Sequence, residues 1–189
     1  MFPLFYFFSN SKNQKNEMKM KKIYLIIFLL IGTGICIYGI QEKDSGEYEE
    51  YSTPDFSLYY PKNWDVLESN DSIIFANPDA TYVSLNIQVV ASRENGGTYD
   101  SIGDAGDDIE RKLNEETKSY KKISEKLTKL DGKEAIEIEC EFDYGINFSQ
   151  IQIITKNENF YVLTYTSLKE NYGENLRHYV KARESLRIK

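Results

Sequence analysis

The sequence predicts an α+β fold: one central antiparallel sheet flanked by helices, preceded by a single N-terminal transmembrane helix. Three observations predict it. Runs of strict apolar/polar alternation recur along the body, most clearly at 82–92 and 133–144. Short turn signals at Asn77-Pro78-Asp79, Asp131-Gly132 and Asn157-Glu158-Asn159 separate such runs, as antiparallel hairpins require. Two amphipathic segments, at 100–120 and about 170–185, each need a sheet face to cover.

Taken in chain order, the first strand is expected at 55–60, where Phe56, Leu58 and Tyr60 alternate with Asp55, Ser57 and Tyr59. Pro61 has no amide hydrogen to give a ladder, so pairing should end there and the chain should turn through Lys62-Asn63 to Trp64. A second run covers Ser72–Ala76. At 82–92, Val83, Leu85, Ile87 and Val89 share one face, with Ser84, Asn86 and Gln88 on the other. The helix at 100–120 carries Ile102, Ile109, Leu113 and Tyr120 on its apolar stripe. Asp100 or Ser101 caps it, acids crowd its first turns, and Lys118, Lys121 and Lys122 sit near its end, complementing the helix dipole. Four strands follow, at 123–130, 133–144, 147–156 and 160–168. A closing helix turns Tyr172, Leu176, Tyr179 and Val180 inward, and a strand-like Ser185-Leu186-Arg187-Ile188-Lys189 ends the chain.

The composition is globular: 41% of the 189 residues are apolar and 28% are charged. The net charge of -7 is unevenly spread. Residues 1–43 hold six lysines against Glu17 and Glu42, a net of +4, which leaves -11 on residues 44–189. So acidic a body repels phosphate backbones, and nucleic-acid binding is not expected. Cys36 and Cys140 offer neither a disulfide framework nor a CxxC metal signal, and no cofactor or metal site is expected.

The basic leader ahead of the apolar run Ile23–Ile40 sets the expected location. As a helix rising about 1.5 Å per residue the run is roughly 27 Å long, close to a bilayer core of about 30 Å. Lys19, Lys21 and Lys22 on its N-terminal side favour that side staying in the cytoplasm, which puts the body outside, held to the cell membrane by one pass. A cleaved signal and a lipoprotein signal are the alternatives. Gly32-Thr33-Gly34 is a poor cut site, and Ile35, not a small residue, precedes Cys36. The organisation expected is an N-terminal extension at 1–17 (the true start being Met18 or Met20), a signal anchor at 18–43, a linker at 44–54 and the body at 55–189.

The body also resembles a known family. "FSLYYPKNWDV", an aliphatic and aromatic strand running into Pro-x-x-Trp, is similar to the opening of a PsbP-like domain. "LDGKEAIEIE", the hairpin "IQIITKNENFYVLTYTS" and the ending "YVKARESLRIK" follow in that family's order, covering about residues 50–189. The resemblance implies an α/β/α sandwich around an antiparallel sheet. It also implies a role in docking: the family includes extrinsic subunits of photosystem II and, in a distantly similar fold, a nuclear import factor that binds a small GTPase. Many prokaryotic members are anchored at the cell surface. This chain departs from the plant subunits by its expected anchor and by having a single histidine, His178, where a metal-binding pair would need two.

The sharpest chemical feature is the row Glu137, Glu139, Glu141 and Asp143 on one face of the 133–144 strand. Residues two apart on a strand are about 6.5–7 Å from each other, so the four carboxylates repel unless something positive lies opposite. They are candidates for a cation site or for a face that docks a basic partner. The plainer reading is a solvated face paired with Lys126 or Lys129 before it and Lys156 after it. Trp64 is a further candidate, either covering one end of the sheet or exposed to grip a partner or glycan. Asp104, Asp107, Asp108 and Glu110 are accounted for by the helix dipole, and Cys140 reads as an inert core thiol. Neither a GxSxG pattern nor a glycine-rich phosphate loop is present. The expectation is therefore a non-catalytic, membrane-anchored, extracytoplasmic module that binds a protein or cell-envelope partner. A cation-dependent accessory subunit of a membrane complex and an envelope-polymer hydrolase are the alternatives.

Overall fold

A computed structural model describes residues 46–69 and 72–189. The expected membrane segment at 18–43 lies outside these residues; among those described, no helix is long and apolar enough to cross a membrane. The elements are β1 (Tyr48–Ser52), β2 (Phe56–Pro61), β3 (Asp65–Glu68), β4 (Ser72–Ala76), β5 (Ser84–Val90), α1 (Ile102–Glu116), β6 (Tyr120–Leu130), β7 (Lys133–Asp143), β8 (Asn147–Lys156), β9 (Phe160–Leu168), α2 (Tyr172–Ser185) and β10 (Arg187–Ile188).

The α+β class and the antiparallel pairing are as expected, but the strands form two sheets. Seven lie in the order β3-β4-β5-β9-β8-β7-β6, and three, β1-β2-β10, form a separate small sheet. The opening strand is therefore not part of the central sheet. Phe56, Leu58 and Tyr60 on one face of β2 are buried in the main core, whereas on the other face Tyr59 is exposed between the buried Ser57 and Pro61. β1 falls where a linker is expected: Tyr48 to Ser52 pair with Pro61 to Ser57 in register. Pro61 is thus the last residue of β2, and the turn beyond it closes with the Trp64 amide donating to the Pro61 carbonyl at 2.9 Å.

Strand alternation gives the large sheet two different faces. One, with Phe75, Leu85, Ile87, Ile153, Leu163 and Tyr165, packs with the small sheet and α2 in the main core. The other, with Ile136, Ile138, Ile154 and Val162, packs under α1. α1 lies so close that a methyl group on Gly106 would sit 3.2 Å from Ile138 Cδ1, which explains a glycine in mid-helix. The same face carries a polar row. Asn86, Thr164 and Gln152 lie side by side in register. Thr166 donates to Gln150 Oε1, and Gln150 donates to Gln152 Oε1. The amide of Asn86 is buried, with neither its nitrogen nor its oxygen paired among the described residues.

Local chemistry sets the boundaries. Ser101 and Asp104 form a reciprocal capping box at the start of α1. α1 stops at Glu116 with no basic residue in its last turn, and Tyr120, Lys121 and Lys122 belong to β6 instead. The β-branched Thr117, extended at the C-cap, returns its hydroxyl to the Leu113 carbonyl at 2.7 Å. Asp131 and Gly132, at φ 49° and 77°, make the two-residue turn between β6 and β7, a conformation glycine adopts without strain. On α2 the buried stripe is His178, Tyr179 and Ala182. Val180 is 41% exposed, because it lies one helical step of about 100° from Tyr179.

Candidate functional site

The carboxylate row of β7 faces the α2 side of the sheet, and its members have different fates. Glu137 is only 3% exposed. Lys126, directly opposite it on β6, reaches Oε1 at 2.6 Å. Arg183 and the Tyr179 hydroxyl, both from α2, reach Oε2 at 3.2 and 3.1 Å. The group is a buried pin that fastens the closing helix to β6 and β7. Three donors, two of them cationic, meet its two oxygens, the pattern in which a buried charge is tolerated. Burial, reinforced by the Glu137 charge, pushes the Tyr179 hydroxyl well above its usual value, so it stays a donor.

Glu139 is half-buried, with Ser124 opposite at 3.5 Å, at the limit of a hydrogen bond. Burial and then the Glu139 charge push the Tyr172 hydroxyl upwards. Glu141 pairs with Lys169, which follows β9, at 2.7 Å. Asp143 accepts from the Gly145 amide and shapes the turn into β8. Of the three lysines expected to balance the row, Lys126 does so. Lys129 lies opposite Glu134, and Lys156 approaches the Asp100 carbonyl and Glu94. Arg183, Tyr179 and Lys169 are partners that the sequence does not announce, because each arrives from a distant part of the chain. The row is thus divided into separate contacts. Among the described residues, no group of three or more His, Cys, Asp or Glu side chains is placed to hold a metal ion.

Three of the four acids of the second cluster are engaged, and Asp107 is exposed. Asp104 caps α1; Asp108 meets Arg111, Lys112 and the Tyr99 hydroxyl; Glu110 meets Lys122 at 2.7 Å and the Tyr120 hydroxyl at 2.5 Å. Cys140 sits on the α1 face at 1% exposure. Burial pushes its thiol up to about 12, leaving no thiolate to act as a nucleophile near neutrality.

Trp64 is 5% exposed and belongs to the main core, the first of its two readings. Its ring meets the His178 ring edge-on at 5.2 Å. On the other side of His178, Nδ1 lies 3.0 Å from the Tyr48 hydroxyl of β1. Lys181 stands over the Tyr48 ring, and Arg177 pairs with Glu47. Burial is the main cause that lowers the His178 pKa, the Arg177 charge adds to it, and Glu47 opposes it. A depressed imidazole favours the folded state above the ordinary histidine value near 6.5, and that contribution is lost as pH falls below it. Thermal melts of the full chain at pH 7.5 and 5.0 should therefore show a larger fall in Tm for the native sequence than for His178→Gln. Equal falls would remove His178 as the cause.

A surface pocket of about 540 Å³ opens where the β7–β8 turn meets the end of β9, lined by Gly145, Ile146, Asn147, Leu168, Lys169 and Glu170. Its charged side chains are a single lysine and a single glutamate, and Ile146 is 40% exposed beside them. That is a small amphipathic depression next to the Glu141–Lys169 pair, without a reactive group converging on it.

Among solved structures, the cyanobacterial PsbP (CyanoP) from Synechocystis sp. PCC 6803 superposes with a TM-score of 0.61 over 81% of this chain and 99% of that one, at 12% identity. The chain has a PsbP-like fold. The yeast Ran-binding protein Mog1p, from Saccharomyces cerevisiae, matches this PsbP-like fold with a TM-score of 0.51 over 76% of this chain and 96% of that one, at 10% identity. A Pseudomonas aeruginosa protein of unknown function, described as a putative regulator, matches at 0.50 over 72% and 94%, at 15% identity. No family profile and no curated protein sequence matches the chain. Similarity at these identities establishes the fold and leaves function to the site.

Proposed function

We propose that this PsbP-like chain is a non-catalytic binding module, tethered to the cell membrane by residues 18–43 with its body outside the cytoplasm, and that it docks a protein or cell-envelope partner. One observation carries the reading. The groups that would have to perform chemistry are already committed to the fold: Glu137 to three donors, Glu141 to Lys169, Glu110 to Lys122 and Tyr120, and Cys140 to the core. What the body offers a partner is surface: a shallow pocket, an acidic exterior and scattered exposed apolar side chains. The name of Mog1p as a Ran-binding protein fits a fold used for docking.

Photo-crosslinking residues placed at Leu127, Ile146 and Val180, each at least 40% exposed, test the binding reading in native membranes. A discrete covalent adduct from at least one position is expected. No adduct from any of them would sink the reading. Ile31→Arg puts a charge within the apolar run and should release the chain from the membrane fraction; unchanged fractionation would remove the tether.

A further inference from the structure

The large sheet ends in two unlike edges. β3 has four residues, and its Glu68 is held by the Tyr51 hydroxyl at 2.8 Å. β6, at the other end, has eleven residues and is exposed along most of them. Eleven residues at about 3.4 Å each make a rim roughly 37 Å long. Among the described residues only one side of β6 is paired, with β7, so its outward-pointing amides and carbonyls form an open template there. Of the usual protections against strand addition β6 lacks shortness; it carries instead a row of lysines and one register shift, which turn away strands of like charge rather than every strand.

The side chains of β6 choose what may add to that edge. Leu127 is 82% exposed and Ile123 44%, the two most exposed large apolar side chains among the described residues. Ile123 sits where the pairing register shifts between Lys122 and Ser124. Lys121, Lys122, Lys126 and Lys129 stand against Glu125, so the strand carries +3 on a body of -11. Lys122 and Lys126 are used in ion pairs; Lys121 and Lys129 make none among the described residues. A second copy of β6 laid antiparallel on this edge would bring lysines against lysines, which is unfavourable. An extended strand with acidic residues would meet them with opposite charge and cover Leu127.

We infer that β6 is a docking edge that accepts an extended, acidic segment of a partner protein as an eighth strand of the sheet. The inference rests on the binding reading above and names the surface and the chemistry of the partner. Backbone hydrogen bonds supply the pairing, Leu127 and Ile123 the apolar contact, and Lys121 and Lys129 the preference for acid.

The test uses the full chain in detergent and fluorescence anisotropy of three labelled decapeptides: (Glu-Val)5, (Lys-Val)5, and (Glu-Val)5 methylated on alternate backbone nitrogens. The acidic probe should bind at least tenfold more tightly than the basic one, and raising NaCl should weaken it. The methylated probe, which keeps the charge but cannot complete a ladder, should not bind. Lys121→Gln/Lys129→Gln, at two exposed positions that face Glu141 and Glu134 of β7 without an ion pair, should remove the preference between acidic and basic probes while circular dichroism stays unchanged. Equal binding of the methylated probe would overturn strand addition, since charge alone would suffice. Failure of the acidic probe to bind, or concentration-dependent dimerisation through β6, would overturn the inference too. Crosslinked adducts from Ile146 or Val180 with none from Leu127 would reject the β6 edge and leave the binding reading standing; silence from every position would reject both.

Discussion

Replacing Phe75 with alanine should destabilise the protein by about 3–5 kcal/mol. Phe75 is fully buried on β4 and faces the small sheet. Its ring stacks on Tyr60 of β2 at 4.5 Å and meets Tyr51 of β1 edge-on at 5.4 Å. It is one of the larger contacts in the core that the two sheets share. Deleting the ring leaves a cavity between elements that cannot both close on it, since each is held by its own ladder. Urea denaturation of the full chain should show the midpoint fall with an unchanged slope. A loss below about 1 kcal/mol would mean that the sheets collapse freely onto the gap, and that Phe75 is not a joint between them.

Glu137→Ala should cost about 3 kcal/mol. It removes the shared acceptor of Arg183 and of the 1%-exposed Tyr179, leaving a buried hydroxyl unpaired and a half-buried guanidinium with only its bond to the Thr128 hydroxyl. Lys126→Ala, by contrast, should cost less than about 1 kcal/mol, because the Lys126 side chain is 60% exposed. The contrast separates a buried pin from a surface ion pair touching the same carboxylate. Equal losses from the two substitutions would show that the helix-side contacts of Glu137 contribute nothing special. A double-mutant cycle between Glu137 and Arg183 would apportion what remains.

The strands easiest to read from sequence are those with strict alternation and a turn signal at each end. β7 begins two residues after Asp131, and both turn residues take the positive φ that the Asp-Gly pair announces. The same alternation misleads about β7's second face. Polar residues at every other position suggest solvent, yet Glu137 is buried, because its partners Tyr179 and Arg183 lie more than forty residues away. No local pattern encodes that meeting. Asn86 is a similar case: it alternates with Leu85 and Ile87 as a solvent-facing residue would, and the structure buries it. β1 is hidden in the sequence because Tyr48-Glu49-Glu50-Tyr51-Ser52 has the charge of a spacer. What makes it a strand is β2, whose free edge it covers in five-residue register. The pattern overextends α1 because Tyr120 falls at helical spacing from Leu113, although the pairing of β6 with β7 claims it. Cys140, by contrast, lies in the buried face its neighbours Ile138 and Phe142 indicate.

The place of β1 has a mechanical consequence. Any tension entering the body from residues ahead of Gly46 arrives first at Glu47 and Tyr48, where the Arg177 pair, the His178 contact and the Lys62 amide bond to Glu47 meet. A pull there loads a cluster tied to both β2 and α2 before it reaches the remaining rungs of the β1–β2 ladder. A load applied there is thereby shared between β2 and α2 at its point of entry, and α2 passes it on to the large sheet through Arg183, which holds Glu137 of β7 and Thr128 of β6.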